Sequence, residues 1–317
     1  MRKTCVDMVH TLAKRDERVV FIGSDLSPGL LNEMKQEFPE RHYMEGISEA
    51  NFVGMAAGMA MEGFIPYINT IATFLTRRCY EQVAVDLCLH NLPVRLIGNG
   101  GGLVYAPLGP THVALEDIAI MRALPNMTIV AVADASEMRR FMEVSLDWPG
   151  PIYIRMGKGG DPIVTRETDT FEIGKGYLLR AAHGSQNNSV LIVSTGVMTG
   201  RALEAAELLV DGGVAVEVLH MPTIKPLDEE ALRIHAGTAS LVVTIEEGTM
   251  IGGLGSAVLD NLNETFGRSM PAVRRLGIPD SFIHDYGNQD WLMQVCGLQP
   301  DQIAKSISAA VDVLPAA

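Results

Sequence analysis

The length, composition and charge of the chain limit what it can be. Its 317 residues are 47 % hydrophobic and carry a formal net charge of −13. That length predicts two domains, and the hydrophobic fraction is enough for full globular cores. The acidic balance argues against nucleic acid and anionic membrane surfaces as partners, because both require a basic surface. It leaves room for small anionic substrates, since a local group of Arg and Lys can bind them.

The chain has no pattern typical of export, membrane insertion or metal binding. No apolar run approaches the roughly 18 residues of a membrane span. The first residues lead into a mixed helix rather than an apolar signal peptide. Cys5, Cys79, Cys88 and Cys296 form no CxxC pair and no metal-ligand spacing. We therefore expect a cytoplasmic protein with reduced thiols, no membrane partner and no metal ligands of its own.

Short β-branched runs alternate with longer helical patterns through the first half of the chain. The predicted strands are 19–23, 65–70, 94–97, 128–131 and 151–155. The predicted helices are 26–38, 49–62, 75–90, 114–123 and 135–146. Alternation of this kind predicts a parallel sheet with helices on both faces.

A polar, glycine-rich segment over about 157–176 separates this pattern from a second, shorter one. The second pattern predicts strands at 190–195, 214–219 and 241–246. It predicts helices at 198–211, 253–262 and 301–313. The chain is therefore predicted to form two doubly wound α/β domains, residues 1–165 and a smaller one over residues 175–317.

One carboxyl group stands at the start of a small, apolar helix pattern. Glu49 follows Gly46-Ile47-Ser48 and precedes a run rich in Gly, Ala and Met. An acid at a helix N-terminus is also favoured by the helix dipole alone, which is the alternative. The functional hypothesis is that Glu49 donates a hydrogen bond to N1′ of an aminopyrimidine, as thiamine diphosphate enzymes require. Phe74 would then be a core residue or the aromatic face on which that ring stacks.

Three further positions carry side chains suited to a binding site. His112 follows a glycine-rich loop at 98–108, where a cleft position is as probable as a core position. Asp25 follows the first strand, where open α/β sheets bind ligands, although it would also serve as a helix cap. Arg77 and Arg78 are either solvated or face a phosphate. The glycines of the loop do not continue into a full GxGxxG motif, so a nucleotide loop is not predicted.

These residues together resemble the C-terminal part of transketolase, and the resemblance covers essentially the whole chain. The matching pieces of the first domain are Ser24-Asp25-Leu26-Ser27-Pro28, Gly46-Ile47-Ser48-Glu49, Thr73-Phe74, Gly109-Pro110-Thr111-His112, Leu124-Pro125-Asn126-Met127 and Gly150-Pro151. Those of the second are Val193-Ser194-Thr195-Gly196, Met221 to Asp228 and Val242 to Glu246. The resemblance implies a pyrimidine-binding domain followed by a transketolase C-terminal domain.

The resemblance also implies roles for single residues. Glu49 is similar to the glutamate that activates the cofactor, and Phe74 to the aromatic that stacks on its pyrimidine. His112 is similar to the histidine near the substrate hydroxyls, and Asp25 to an acid near the cofactor.

Basic residues are expected at the substrate's anionic end. Arg2 and Lys158 stand where the family has arginines that contact the substrate phosphate. Arg78 is predicted to bind substrate with them.

The family's N-terminal domain, which holds Mg²⁺ and the diphosphate, has no counterpart in this sequence. The resemblance therefore implies a split transketolase, in which thiamine diphosphate and Mg²⁺ are held mainly by a separate N-terminal subunit. An α₂β₂ assembly is expected.

Three departures from the family pattern concern the substrate. The loop lacks the histidine expected about twelve residues before His112, Gly29 replaces a serine that contacts phosphate, and Leu108 replaces an aspartate near the donor. Losing a charged hydrogen-bond partner can change discrimination by orders of magnitude. We therefore expect an unusual sugar, such as a branched or modified one.

The predicted activity is transfer of a two-carbon ketol unit from a ketose phosphate to an aldose phosphate. One alternative is a subunit like 1-deoxyxylulose 5-phosphate synthase or the β subunit of 2-oxo acid dehydrogenases, and another is a non-catalytic assembly subunit. Glu246 and Glu247 at a strand end are expected to be solvated or paired at an interface rather than to act as acids or bases.

Overall fold

The computed structural model describes residues 1–24, 26, 29, 31–182 and 189–314. The first part of the chain contains, in order, α1 (Arg2–Arg15), β1 (Val19–Gly23), α2 (Asn32–Glu37), β2 (His42–Met44), α3 (Glu49–Met61), β3 (Ile65–Ile71), α4 (Ala72–Thr76), α5 (Tyr80–Gln82), β4 (Arg95–Asn99), α6 (Asp117–Arg122), β5 (Thr128–Ala131), α7 (Ala135–Ser145) and β6 (Ile152–Met156).

The second part contains β7 (Tyr177–Arg180), β8 (Val190–Ser194), α8 (Met198–Asp211), β9 (Val216–His220), β10 (Thr223–Lys225), α9 (Glu229–Ala236), β11 (Leu241–Thr249), α10 (Leu254–Phe266), β12 (Ala272–Ile278), α11 (Gln289–Val295) and α12 (Pro300–Val311).

The strands form two sheets, and both are mainly parallel. The larger has the order β10-β5-β6-β4-β3-β1-β2 and the smaller β12-β11-β8-β9-β7. Only β10 and β7 among the described strands pair antiparallel with their neighbours, at one edge of each sheet. Both parts are therefore α/β, as predicted. Neither antiparallel edge strand was predicted.

The sheets form where apolar β-branched runs occur in the sequence. Every residue of β1, β4, β5, β6 and β8 is buried, as expected for parallel strands covered on both faces. On one face of the larger sheet a buried cluster joins α3 and β3 to residues of the smaller sheet, such as Leu191 and Val242. The two sheets therefore share a continuous core.

The chain crosses between the sheets at β10. Thr223 pairs with Val130 of β5, and the Ala131 amide donates to the Pro222 carbonyl over 2.7 Å. A strand from residues 223–225 therefore completes the larger sheet, although the sequence assigned this segment to the second domain. The division into 1–165 and 175–317 stays a prediction.

Two predicted helices are shorter or broken. Residues 26–38 were predicted helical, but α2 begins at Asn32, and Gly29 has a left-handed φ of +95°. The helix predicted over 75–90 is divided into α4, α5 and a π-helical turn at Val83–Cys88. The Cys79 thiol donates to the Phe74 carbonyl over 3.1 Å at this division, where side chains compete with the helical backbone pattern. Among the described residues, no helix is long and apolar enough to cross a membrane.

Candidate active site

Glu49 lies at the first position of α3, immediately after Ser48. Its side chain is 2 % exposed and accepts a hydrogen bond from Nη1 of Arg78 over 2.8 Å. The Arg78 side chain is 45 % exposed. A buried carboxyl group at a helix N-terminus is stabilised by the helix dipole. Because the Arg78 side chain is half exposed, a ligand that displaces it would reach Glu49.

Phe74 and His112 complete a continuous group with this pair. The Arg78 guanidinium carbon lies 4.0 Å from the centre of the Phe74 ring. The Phe74 and His112 ring centres are 5.3 Å apart, with the rings edge to face. Four residues that the sequence predicted for the site are thus brought together from α3, from α4 and the segment after it, and from the loop before α6. Their individual roles stay predictions.

The site lies at the carboxyl ends of parallel strands, where open α/β sheets bind ligands. Ser24 donates to Thr70 over 2.9 Å, and the Asn99 amide donates to the Thr70 carbonyl over 3.1 Å. The hydroxyl oxygen of Thr73, next to Phe74, is buried and has no hydrogen-bond partner. A buried polar atom without a partner beside an aromatic ring fits a site completed by a polar ligand. Asp25 follows Ser24 and lies outside the described residues.

The glycine-rich loop before His112 is shaped by close packing. Gly100 and Gly102 have left-handed φ values of +72° and +69°. A Cβ on Gly100 would lie 2.2 Å from the Tyr105 ring, and one on Gly102 would lie 2.3 Å from the Glu247 carboxyl carbon. Glycine is therefore required there by backbone conformation and by space. At the end of the loop, Nδ1 of His112 lies 2.8 Å from the Thr111 hydroxyl.

Arg2 and Lys158 lie close to each other, on the side of the loop that carries Tyr105. A Cβ on Gly159 would be 3.9 Å from the Arg2 backbone nitrogen. Burial raises the pKa of Tyr105, and the neighbouring Arg2 charge and hydrogen bond oppose that rise. Lys158 is exposed and, with Arg201, lines a cavity of about 490 Å³. Asp161, Glu204 and Asp290 line the same cavity, and Arg201 pairs with Asp290. Binding of a substrate by Arg2 or Lys158 stays a prediction.

Arg77 does not share the environment of its neighbour. Its Nη2 atom donates to Oε2 of Glu116 over 2.9 Å and to the Val113 carbonyl over 3.1 Å. Arg77 therefore braces the segment that follows His112, and Arg78 alone of the two contacts Glu49.

Glu246 and Glu247 are both buried, so the expectation of solvation was wrong. Their pairing at an interface stays a prediction. Glu246 accepts from the Leu254 and Gly255 amides at the start of α10, over 2.9 and 2.8 Å. Burial raises the pKa of both carboxyl groups, that of Glu247 to about 7.

The sequence analysis missed a buried ion pair beside the loop. Nε of Arg155 donates to Oδ2 of Asp117 over 2.7 Å, and the Tyr153 hydroxyl donates to the same oxygen over 2.7 Å. An arginine within the apolar run of β6 was the available indication, because a charge is rarely buried without a partner.

The arrangement of Glu49, Phe74 and Thr73 fits the aminopyrimidine part of a thiamine cofactor. Among residues 1–24, 26, 29, 31–182 and 189–314, no group of three or more His, Cys, Asp or Glu side chains would hold a metal ion. All four cysteines are free thiols.

Comparison with known proteins decides the family. Residues 1–160 match the model of the transketolase pyrimidine-binding domain, and residues 180–303 match that of the transketolase C-terminal domain. A relative from a Clostridium species, described as a 6-deoxy-6-sulfo-D-fructose transketolase subunit, is 35 % identical over 96 % of this chain and 92 % of its own. The chain belongs to the transketolase family. Membership implies dependence on thiamine diphosphate.

Two further relatives within the family differ in their described activity and in the share of their length that this chain covers. A solved structure described as a split-gene transketolase, an inactive β4 tetramer, is 34 % identical with a TM-score of 0.88 and covers 99 % of both chains. A 1-deoxy-D-xylulose-5-phosphate synthase from an Anaeromyxobacter species is 39 % identical over 94 % of this transketolase-family chain, which spans only 47 % of that enzyme.

Proposed function

We propose that this chain is the C-terminal subunit of a two-subunit transketolase. The complex would transfer a two-carbon ketol unit from a ketose bearing an anionic group to an aldose phosphate. The observation that carries the proposal is the contact of Glu49, Phe74, Arg78 and His112 at one site, in a chain that matches split relatives over nearly their whole length.

The pyrimidine half of the site is proposed to be built by this chain. Thiamine diphosphate, when bound, supplies the carbon nucleophile that cleaves the ketose. Glu49 would hold a proton at N1′ of the pyrimidine, and Phe74 would offer its ring face. The Arg78 guanidinium covers both groups, so it must move aside for a pyrimidine to bind. The Thr73 hydroxyl is a further group able to orient the ring.

The substrate half is proposed to be the loop and the basic residues beside it. His112, fixed by Thr111, would donate hydrogen bonds to sugar hydroxyls. Arg2, Lys158 and a displaced Arg78 would bind the anionic end of the sugar. Asp25, which follows β1, is proposed to lie near the cofactor.

The remaining half of the cofactor site is proposed to come from a separate N-terminal subunit in an α₂β₂ complex. That subunit would hold Mg²⁺ and the diphosphate. Residues 1–165 would supply the pyrimidine side, and residues 175–317 would support it. The structural relative, described as an inactive β4 tetramer, supports a subunit that is inactive alone.

A modified sugar is the substrate class that the loop favours. Leu108 is 50 % exposed and lies in the 3₁₀ turn Ala106–Leu108 of the loop that ends at His112, where the family pattern has an aspartate. A leucine cannot accept a hydrogen bond from a substrate hydroxyl. The Clostridium relative is described as acting on 6-deoxy-6-sulfo-D-fructose, which supports testing sugars with a sulfonate as well as a phosphate.

Restoring the acid is expected to change this preference. In the assembled complex, Leu108→Asp should raise kcat/KM for xylulose 5-phosphate by about tenfold or more, because a substrate hydroxyl gains a charged acceptor. Steady-state rates with xylulose 5-phosphate and ribose 5-phosphate measure the effect. Leu108→Asn is the matched control without charge. Wild-type rates already equal to those of ordinary transketolases would contradict the modified-sugar proposal.

The proposed activity is tested on the complex of this chain with a candidate N-terminal subunit. We expect ketol transfer from ketose phosphates or 6-sulfo-ketoses to aldose phosphates, and no release of CO₂ from pyruvate. Decarboxylation of pyruvate without ketol transfer would instead support a subunit like 1-deoxy-D-xylulose-5-phosphate synthase, the alternative that the 39 % identity to such an enzyme favours.

A further inference from the structure

A carboxyl group of the second part of the chain reaches into the loop that carries His112. Oε1 of Glu247, in β11, accepts from the Leu103 amide over 2.7 Å and from the Gln289 side chain over 2.8 Å. Its carboxyl group fills the space that Gly102 leaves by having no side chain. The Glu247 side chain is fully enclosed, with the residue 2 % exposed.

The two ends of the same loop are held together on the same side. Gly102 and Ala114 exchange backbone hydrogen bonds of 2.8 and 3.0 Å, which closes the loop at its base. Arg155 donates from Nη2 to the Ala114 carbonyl over 3.1 Å and to the Glu247 carbonyl over 2.6 Å. Arg155 is itself fixed by Asp117. The loop therefore rests on one buried network that spans both sheets.

We propose that Glu247 is a positioning residue for substrate binding, which sets the conformation of residues 102–112 and thereby the location of His112. The inference rests on the proposed function, because His112 is assigned to the substrate there. It gives the second part of the chain a role in the site, although none of its residues is proposed to touch the cofactor.

The contact between Glu247 and the loop is expected to depend on pH, because the Glu247 carboxyl group can be protonated. Burial raises its pKa to about 7, and Arg155, the Leu103 amide, Gln289 and Arg201 oppose the rise. The other titratable groups near it are Asp117, which is paired with Arg155, and the Cys296 thiol. Oε2 of Glu247 is buried without a partner.

The sign of the pH effect follows from the raised pKa. A carboxyl group whose pKa is higher in the folded state than in the unfolded state stabilises the fold most when it is protonated. That contribution is lost as the pH rises from about 4.5 through about 7. Above pH 7 a negative charge is enclosed with one oxygen unpaired, so the packing of the loop should weaken.

The test compares variants of Glu247 in the assembled complex. Glu247→Ala removes the acceptor for Leu103 and should raise the KM of the sugar donor by about tenfold, with kcat and the Kd of thiamine diphosphate changed by less than about threefold. Glu247→Gln keeps an acceptor oxygen without the charge. It should hold KM near the wild-type value at neutral pH and abolish the increase of KM that we expect of the wild type above pH 7.

Glu246→Ala is the matched control, because Glu246 is buried in the same strand and caps α10 rather than the loop. Hydrogen exchange of residues 98–112 is the second measurement and does not depend on activity. Faster exchange there in Glu247→Ala, and not in Glu246→Ala, is the expected result. Equal effects of the two variants on KM and on exchange would overturn the inference.

A failure of the proposed function is distinguishable from a failure of the inference. If the wild-type complex transfers no ketol unit, the proposed function fails, while the exchange comparison still decides whether Glu247 fixes the loop. If the complex is active and Glu247→Ala lowers kcat without changing KM or loop exchange, the inference alone is wrong.

Discussion

Replacing Glu49 by alanine in the assembled complex is expected to lower the rate of ketol transfer by roughly 10³-fold. Loss of a positioned proton-relay group costs about 10²–10⁴-fold in other enzymes. Glu49 is buried at the start of α3, and its side chain pairs with Arg78, which is half exposed. In the alanine variant the Arg78 guanidinium is therefore left solvated rather than buried without a partner. The variant should therefore fold, and steady-state turnover at saturating thiamine diphosphate measures the effect.

Two further variants separate chemistry from structure. Glu49→Gln keeps the shape of the side chain but not its acidity, so it should lose nearly as much activity as the alanine variant. Glu62→Ala removes an exposed acid just beyond the other end of α3 and should leave turnover unchanged. Unchanged turnover in Glu49→Ala would support the alternative that this chain is a non-catalytic assembly subunit.

Thiamine diphosphate with Mg²⁺ is expected to bind at least about 100-fold more weakly to this chain alone than to its mixture with the N-terminal subunit, a difference of about 2.7 kcal/mol. The reason is that the diphosphate and Mg²⁺ site is proposed to belong to the N-terminal subunit, whereas the groups suited to the pyrimidine belong to this chain. Isothermal titration calorimetry of the chain, and then of the mixture, gives both dissociation constants.

The pyrimidine contacts provide the control for this binding measurement. Phe74→Ala should weaken binding to the mixture several-fold, because an aromatic stacking surface is lost. Leu89→Ala removes a well-exposed apolar side chain just after the Val83–Cys88 turn and should have no effect. Tight, stoichiometric binding to this chain alone would mean that it holds the diphosphate itself, and the split-site proposal would be wrong.

The elements that the sequence located well are those whose pattern is local. β1, β5 and α8 begin and end where they were predicted. In a β-branched run or a helical apolar stripe, the pattern of neighbouring residues itself indicates which side chains are buried. Glu49 at the start of α3 was located for the same reason, since a single acid is conspicuous in a run of Gly, Ala and Met.

Elements that depend on a distant partner were not located. β10 has three residues and is a strand only because β5 lies beside it. The helix predicted over 75–90 is broken at the hydrogen bond from the Cys79 thiol to the Phe74 carbonyl and at the π-helical turn. Neither feature changes the apolar periodicity of the sequence. The shortened α2 follows from a left-handed backbone at Gly29. Glycine permits this conformation, but its presence in a sequence does not predict it.

The sequence by itself therefore determined the α/β class and most of the buried strands, because composition and periodicity are properties of neighbouring residues. The resemblance to transketolase, rather than those patterns, singled out Glu49, Phe74 and His112 for one site. Only the tertiary structure decided that Arg78 covers Glu49 and Phe74, that Arg155 pairs with Asp117, and that Glu247 supports the loop of His112. Glu247 and Leu103 are 144 residues apart in the chain. Their contact arises from the packing of one sheet on the other, and no local pattern encodes it.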